Sequence, residues 1–420
     1  MPLQLPERFA QIPRYPLLYS HPSPIHPQSL YHTFPPRLIP YNPQVSIFVK
    51  REDQSSPMPC PGNKYRKLEY IVPDLLSENP KYGYHEDHPP KEQDQRPARR
   101  PRLLVTEGAV QSNHAVQVGA LAAKLELSKL LLLRRGTGGG YRTAENKTSF
   151  MSSGNMLMNT ILGNSAVFCE NMGSDLEDMG KFLEGLGKTA GGEPYWISSG
   201  ASLHPLGGLG YARAAFEIAE QEKEIKLGGS GRFDFVFVAC GSGSTVGGLI
   251  AGFKLLEKMD SSSSFSAIPA AEAGSPSETK LAPRMVVGIL TSPTMPRSYH
   301  EERVLKFARQ AGELIGLEAE QDISMADVRL DDEFVGEEYG VMDANTQKTL
   351  FRFAEAGLLL DPVYTAKAAR GMMSWVEENK VKDYAKKYGL EEVNVLFIHT
   401  GGQAALGAYA DKLSYQMYED

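Results

Sequence analysis

Residues 233–256 constrain the fold more than any other stretch of this chain. Phe233 to Ala239 (FDFVFVA) is a nearly continuous apolar run of aromatic and β-branched residues, the pattern of a strand buried on both faces. Cys240-Gly241-Ser242-Gly243-Ser244-Thr245-Val246-Gly247-Gly248 follows, and an apolar helix is expected through Leu256. A strand, a loop of glycines and hydroxyls and then a helix can hold a phosphate: backbone amides converge on the oxygens, hydroxyls donate, and the helix dipole favours the negative charge. Gly241, Ser242, Gly243, Ser244 and Thr245 are therefore the candidate cradle, with a ligand-free glycine turn as the plainer alternative. The segment has no P-loop lysine and no GxGxxG pattern with an acidic residue at the next strand, which argues against nucleotide and flavin folds.

The rest of the chain alternates in the same way. Short apolar strands are expected at Ser46 to Val49, Leu103 to Val105, Leu130 to Leu133, Met285 to Leu290 and Val395 to Ile398. Helices are expected over Lys64 to Leu76, Ala115 to Leu125, Met151 to Leu162, Tyr211 to Gln221, 298–318 and Phe351 to Ala356, with another from Lys367. Buried strands separated by helices indicate an α/β protein with parallel sheets. Ligands of such sheets collect at the carboxyl ends of strands, where the loops after Val105, Ala239 and Ile398 fall.

A second feature is the stretch PGNKYRKLEY at 61–70. Pro61-Gly62 ends whatever precedes it, Asn63 can cap, and Leu68, Ile71, Leu75 and Leu76 keep helical spacing, so Lys64 opens a helix. A lysine at the positive end of a helix, with Arg66 and Lys67 close behind, loses its proton more readily, and a neutral amine can condense with an aldehyde. A basic helix end on the surface is the plainer reading of these residues taken alone. Gln111-Ser112-Asn113-His114 opens another helix, where polar side chains and free amides suit an anion or carboxylate. Simple capping by Ser112 or Asn113 explains one of these residues but not all four.

Composition removes several classes of function. The 420 residues allow two lobes, and a formal charge of -7 gives no general attraction to nucleic acid or anionic membranes. No apolar run reaches bilayer-spanning length. Three separated cysteines, Cys60, Cys169 and Cys240, show no metal spacing and suit reduced thiols in a cytoplasmic protein, with Cys60 read as inert. Residues 1–45 are rich in proline and read as an extended arm over a larger body; 81–101 and 258–284 read as inserted flexible loops. His85 and His88 lie in the first of these loops without further ligands, so no metal is expected. The GTGGG loop at 136–140 leads into no clear βαβ unit and reads as mobile. His204 reads as a hydrogen-bonded structural histidine, and the methionines of 151–162 as core. Lys50 to Asp53 are open between a charged strand end and a role near a ligand.

Seven separated segments carry a resemblance. They are FVKRED at 48–53, GNKYRKLEY at 62–70, QSNHAVQVGALAAKL at 111–125, HPLGGLGY at 204–211, GSGSTVGG at 241–248, LLDPVYTAKA at 359–368 and FIHTGGQAAL at 397–406. In these segments and their order the chain resembles the aminocyclopropane-carboxylate (ACC) deaminase and D-cysteine desulfhydrase family, fold-type II enzymes that use pyridoxal phosphate. The resemblance implies two open-sheet α/β lobes of the tryptophan-synthase-β-like class with the cofactor between them. The larger lobe would comprise 1–64 and 201–420 and the smaller 65–200. It further implies Lys64, Ser112, Tyr339 and Tyr364 as catalytic residues. Asn113, the loop from Gly241 to Thr245, Thr365 and Thr400 join Lys64 at the cofactor. A small amino-acid substrate and a homodimer are also implied. An arginine frequent in the family after the position of His114 is absent, with Ala115-Val116 in its place.

The resemblance also bears on the substrate. Deaminases of the family have a glutamate after the PVY tyrosine and a leucine in the late motif, whereas this chain has Thr365 and Thr400, and His114 matches desulfhydrase members. D-cysteine desulfhydrase is therefore the expected activity. ACC deaminase is the alternative, and a non-catalytic pyridoxal-phosphate-binding protein the second.

Overall fold

The computed structural model describes residues 3–29, 44–83, 103–135, 139–169, 179–189, 193–202, 204–265, 282–292 and 295–414. Along the chain the strands are β1 (Ile25–Pro27), β2 (Gln44–Arg51), β3 (Leu103–Ala109), β4 (Ser128–Arg134), β5 (Ala166–Cys169) and β6 (Pro194–Ile197). They continue with β7 (Phe235–Cys240), β8 (Met285–Leu290), β9 (Arg329–Asp331) and β10 (Glu392–His399). A six-stranded sheet has the order β1-β2-β10-β7-β8-β9 and a four-stranded sheet the order β5-β4-β3-β6. Every described pairing is parallel except β1 with β2.

The strand read from FDFVFVA lies in the interior of the larger sheet and is buried along its whole length. Its two faces belong to different cores. Val236, Val238 and Cys240 pack with the Leu209–Ile225 and Ser244–Phe265 helices. Phe235, Phe237 and Ala239 pack with residues of the Thr365–Glu377 helix, including Ala366, Ala369 and Met372. Helices on both faces explain why the run does not alternate. Each large side chain so enclosed contributes about 1.5–3 kcal/mol by burial.

The Asn63–Leu75 helix carries Lys64 in its first turn and packs Tyr65, Leu68, Ile71 and Val72 against Leu104, Val118 and Leu121 of the smaller sheet's layer. On its other side it meets the Leu209–Ile225 helix so closely that a Cβ on Gly210 would collide with the carbonyl oxygen of Arg66. Pro73 has no N–H to give to Glu69 four residues back. The amide of Tyr15 takes that carbonyl instead at 2.8 Å, and the Glu69 carboxylate accepts from Leu17 N at 2.9 Å and Arg14 at 3.0 Å. The described part of the N-terminal arm is thus fastened to the lysine helix.

Several boundaries differ from the sequence reading. β3 runs on through Glu107 and Gly108, because β4 continues to pair with it and Gly108 lies opposite Leu133. The 151–162 helix is broken between Ser152 and Gly154, which has a positive φ of 58°. Gln111 reaches into the break, donating to the Phe150 carbonyl and accepting from Asn155 N. The 258–284 loop is corrected over 258–265, which continue the Ser244–Phe265 helix; 266–281 and most of the 81–101 loop, with His85 and His88, lie outside the described residues. Of the GTGGG loop, Gly139 and Gly140 begin a short helix, Gly139–Arg142. Among the described residues no helix is long and apolar enough to cross a membrane.

Candidate active site

The carboxyl ends of β3, β7 and β10 face one cavity of about 640 Å³ between the two sheets, lined at those ends by Ala109, Cys240 and Thr400. Lys64 lines it from the lysine helix. Gly62 forms a bridge with Gly401, Asn63 N donates to the Thr400 carbonyl at 3.2 Å, and Lys64 N donates to Gln117 Oε1 at 3.2 Å. A side chain at Gly62 would strike that same Thr400 oxygen, so glycine is required for the β10 turn to approach. The helix begins one residue earlier than expected, with Gly62 rather than Asn63 at the cap and the Asn63 amide donating to Thr245 Oγ1 at 3.3 Å.

Burial lowers the Lys64 pKa to about 8, with a hydrogen bond to Lys67 acting in the opposite sense. Lys67, one turn on, is fully buried; its Nζ donates to the Gly200 carbonyl at 3.1 Å and to Ser244 Oγ at 2.9 Å. Burial and then the charge of Lys64 hold Lys67 well below the usual lysine range. Its partners are neutral, and the Ser244–Phe265 helix begins beside it. Amides at a helix start, with a buried amine bonded behind them, suit the oxygens of a phosphate ester. Gly243, with φ 93°, supplies the turn into that helix. The residues present therefore fit pyridoxal phosphate: an amine of lowered pKa for its aldehyde and an anion cradle for its phosphate.

The expected site residues divide by position. Lys64, Ser112, Asn113, Gly241, Ser242, Gly243, Thr245, Tyr339, Tyr364 and Thr400 all line the cavity. Ser244 and Thr365 do not. Ser244 is buried beneath the loop in contact with Lys67, so its hydroxyl supports the cradle from behind. Thr365, which the resemblance places at the cofactor, is not among the residues lining the cavity. Its hydroxyl donates to Asp361 Oδ1 at 2.7 Å and accepts from Asp361 N at 2.6 Å, sealed at the start of the Thr365–Glu377 helix. The Asp361 carboxylate also accepts from the amides of Val363, Tyr364 and Thr365. It caps that helix start, and burial raises its pKa.

Ser112 caps the Asn113–Lys124 helix by accepting from Ala115 N at 3.2 Å, and Asn113 accepts from Asn155 Nδ2 at 2.6 Å. His114 is buried with Nε2 3.0 Å from Thr106 Oγ1; burial, Lys64 and Lys67 together hold its pKa well below the ordinary value. The hydroxyls of Tyr339 and Tyr364 share a hydrogen bond. Burial pushes Tyr339 up to about 12 and Tyr364 well above its ordinary value, so both are phenols at neutral pH.

Lys50 to Asp53 do not reach the cavity. Lys50 and Glu52 are fully buried in an ion network with Arg66 and Glu217, while Arg51 pairs with Asp53. His204 is buried, near Tyr195 OH at 2.9 Å and accepting from Leu206 N at 3.2 Å, with burial lowering its pKa to about 3. It is structural, as expected. Cys60 is outside the cavity, and burial raises its pKa. Among the described residues no cluster could hold a metal ion.

Lining residues that the sequence reading missed are Arg134, Arg142, Ser199, Gly200, Tyr299, His300 and Arg303. They come from four separate segments, and nothing local marks them. Lys67 reads in the sequence only as a neighbouring charge; its three-residue spacing from Lys64 puts it one turn on, where it reaches Ser244 beneath the glycine loop.

Residues 36–401 match the family model described as "Pyridoxal-phosphate dependent enzyme". The chain is 32% identical over 403 residues to an ACC deaminase of Burkholderia multivorans, covering 95% of this chain and 97% of that one. It is 31% identical over 404 residues to the ACC deaminase of Burkholderia vietnamiensis, with 96% and 97% covered. A crystal structure of an ACC deaminase homologue superposes with a TM-score of 0.68 at 26% identity, covering 98% of this chain and 99% of that one. Escherichia coli diaminopropionate ammonia lyase shares the fold alone, with a TM-score of 0.55 at 14% identity over 97% of this chain and 89% of that one. With a lysine of lowered pKa and a glycine-rich loop in a cavity at the carboxyl ends of parallel strands, and relatives that match almost end to end, this chain belongs to the ACC deaminase family of fold-type II, pyridoxal-phosphate-dependent enzymes.

Proposed function

We propose that this enzyme converts D-cysteine and water to pyruvate, hydrogen sulfide and ammonia. The observation that carries the reading is Thr400 on the cavity wall, with Thr365 turned away into its bond with Asp361. Neither position offers the carboxylate that the resemblance implies for deaminases. When bound, pyridoxal phosphate supplies an aldehyde for amines and a ring that draws electrons from the substrate's α carbon. A carboxylate at the ring nitrogen strengthens that draw by keeping the nitrogen protonated; a hydroxyl does not. D-cysteine has an α proton and a sulfur leaving group and tolerates the weaker draw, whereas the cyclopropane acid has no α proton.

The chain's own residues then take distinct parts. The Lys64 amine, with its pKa near 8, accepts the α proton. Ser112 and the amides that open its helix receive the substrate carboxylate. The Tyr339–Tyr364 pair, neutral and hydrogen-bonded, stands where it can donate a proton to the departing sulfur. Asn113 and Thr400 orient the ring, and the loop from Gly241 to Thr245, braced from behind by Lys67, holds the phosphate. We take the acting species to be a cytoplasmic homodimer, as the resemblance implies, which sedimentation and cell fractionation test.

ACC deaminase is the second reading, favoured by the names of the relatives. Parallel assays with D-cysteine, L-cysteine and the cyclopropane acid decide between them. Pyruvate and sulfide from D-cysteine are expected. Release of 2-oxobutanoate from the cyclopropane acid with D-cysteine inert reverses the order, and cofactor binding with no turnover of either leaves a binding protein.

A further inference from the structure

His399 closes β10 next to Thr400, yet it does not line the cavity; its side chain is fully buried outside it. Both ring nitrogens are bonded. Nδ1 accepts from Gly401 N at 3.2 Å, so this nitrogen carries no proton, and the ring proton sits on Nε2, which donates to the Leu359 carbonyl at 2.8 Å. Asp53 Oδ1 lies 3.5 Å from Nδ1, but that carboxylate is already engaged by Arg51 at 2.8 and 2.6 Å and by Gln403 at 2.9 Å.

These bonds hold a turn with little preference of its own. Gly401 and Gly402 are both left-handed, at φ 81° and 106°, and glycine adopts many other conformations as readily. The peptide joining Thr400 to Gly401 is gripped at both ends. Its carbonyl accepts from Asn63 N at 3.2 Å, at the start of the lysine helix, and its N–H is the one that His399 accepts. On the other side of the ring, Leu359 begins the segment that runs through Asp361 to Tyr364. One imidazole therefore ties together the turn carrying Thr400, the helix start carrying Lys64 and the segment leading to Tyr364, all three of which line the cavity.

We propose that His399 is a positioning residue: by accepting from Gly401 N it fixes the Thr400–Gly401 peptide, and with it the span between Thr400 and the Lys64 amine, the two groups assigned to the cofactor's ring and aldehyde. A bare Nδ1 is what the role requires, because a protonated one cannot accept. His399 touches neither cofactor nor substrate, and its part is independent of the choice between D-cysteine and the cyclopropane acid.

The two halves of the imidazole are separable by substitution. His399→Asn keeps an acceptor where Nδ1 stands and loses the bond to Leu359, whereas His399→Gln keeps a donor where Nε2 stands and loses the bond to Gly401. Full-length protein stripped of cofactor is titrated with pyridoxal phosphate, read as absorbance of bound cofactor, and with inorganic phosphate, which needs only the glycine loop, read as competition. His399→Gln is expected to weaken pyridoxal phosphate by about fivefold, the size of one lost hydrogen bond, and His399→Asn to stay within about twofold of the unaltered protein. Inorganic phosphate is expected to compete equally in all three proteins. Equal affinity of the two variants for pyridoxal phosphate, or a larger loss in His399→Asn, overturns the proposal. A loss that inorganic phosphate shares also overturns it, since that marks a general lesion of the fold. Should His399→Gln fail to fold, judged by circular dichroism, nitrogen NMR of the unaltered, histidine-labelled protein decides, with His399→Asn assigning the signal. A bare Nδ1 at neutral pH is expected there, and a proton on it overturns the proposal.

Discussion

At the scale of single residues, the chemistry turns on the proton of Lys64. Burial brings its pKa from the ordinary 10.5 to about 8, so the folded protein releases this proton earlier than the unfolded chain does. Between those two values the unfolded chain binds more protons, and the stability of cofactor-free protein contributed by this group rises with pH. Capture of pyridoxal phosphate by stripped protein, followed in a stopped-flow absorbance experiment, is expected to accelerate up to about pH 8 and then level off. An acceleration that continues to pH 10 would mean that the amine is an ordinary exposed lysine. Borohydride should fix the cofactor on position 64, and Lys64→Ala should abolish that labelling in peptide mapping. The lysine and the glycine loop were readable because each follows a strand or turn signal that fixes its place. Thr365 was not. A sequence shows that a hydroxyl opens a helix but not which way it points, and here Asp361, four residues before it, turns it inward. Thr365→Ala should accordingly cost about 1–2 kcal/mol of stability in urea unfolding, as loss of a buried helix-cap contact does.

At the scale of elements, the lysine helix is fixed by charge as well as by packing. Arg66, two residues after Lys64, donates to Glu52 at 2.5 and 2.9 Å and to Glu217 at 2.8 and 3.0 Å. Lys50 reaches Glu217 at 2.7 Å and Gln221 at 2.8 Å. The network ties β2, the lysine helix and the Leu209–Ile225 helix together behind the cavity. Removing one partner strands the others without water, so Arg66→Met should destabilise the protein by about 3–5 kcal/mol in denaturant unfolding. The double variant Arg66→Met with Glu52→Leu should recover part of that loss; equal losses in both would show that packing of the side chain, not its charge, is what matters. The sequence left Lys50 to Asp53 undecided because burial depends on Arg66 and Glu217, which lie far along the chain. Buried strands with long apolar runs, such as β7 and β8, were legible, while short or half-exposed ones such as β5 and β9 carry too little pattern to be read.

At the scale of the molecule, we take 65–200 as the smaller lobe and the remainder as the larger, the division that the resemblance implies and that limited proteolysis tests. On that division the cavity is closed by contacts between lobes. Gly140 N of the short Gly139–Arg142 helix approaches the Tyr339 carbonyl at 3.4 Å and Arg142 pairs with Glu338, while within the larger lobe Tyr409 OH donates to the Gly340 carbonyl at 2.6 Å. Tyr339 therefore enters the cavity from a loop clasped from the opposite lobe. The Arg142–Glu338 pair is largely exposed, so it contributes at most about 1 kcal/mol to folding, and Arg142→Ala should leave the unfolding midpoint nearly unchanged. Its effect belongs to closure. Without the pair the Tyr339 loop is closed a smaller fraction of the time, and KM for the amino-acid substrate should rise a few-fold. Salt provides the control, because an exposed pair is screened at high ionic strength. KM of the unaltered enzyme should climb toward that of Arg142→Ala as sodium chloride is raised, while KM of the variant stays flat. Parallel salt dependence in the two proteins would show that the pair does not hold the loop and that Tyr339 is positioned by Tyr364 and Tyr409 alone.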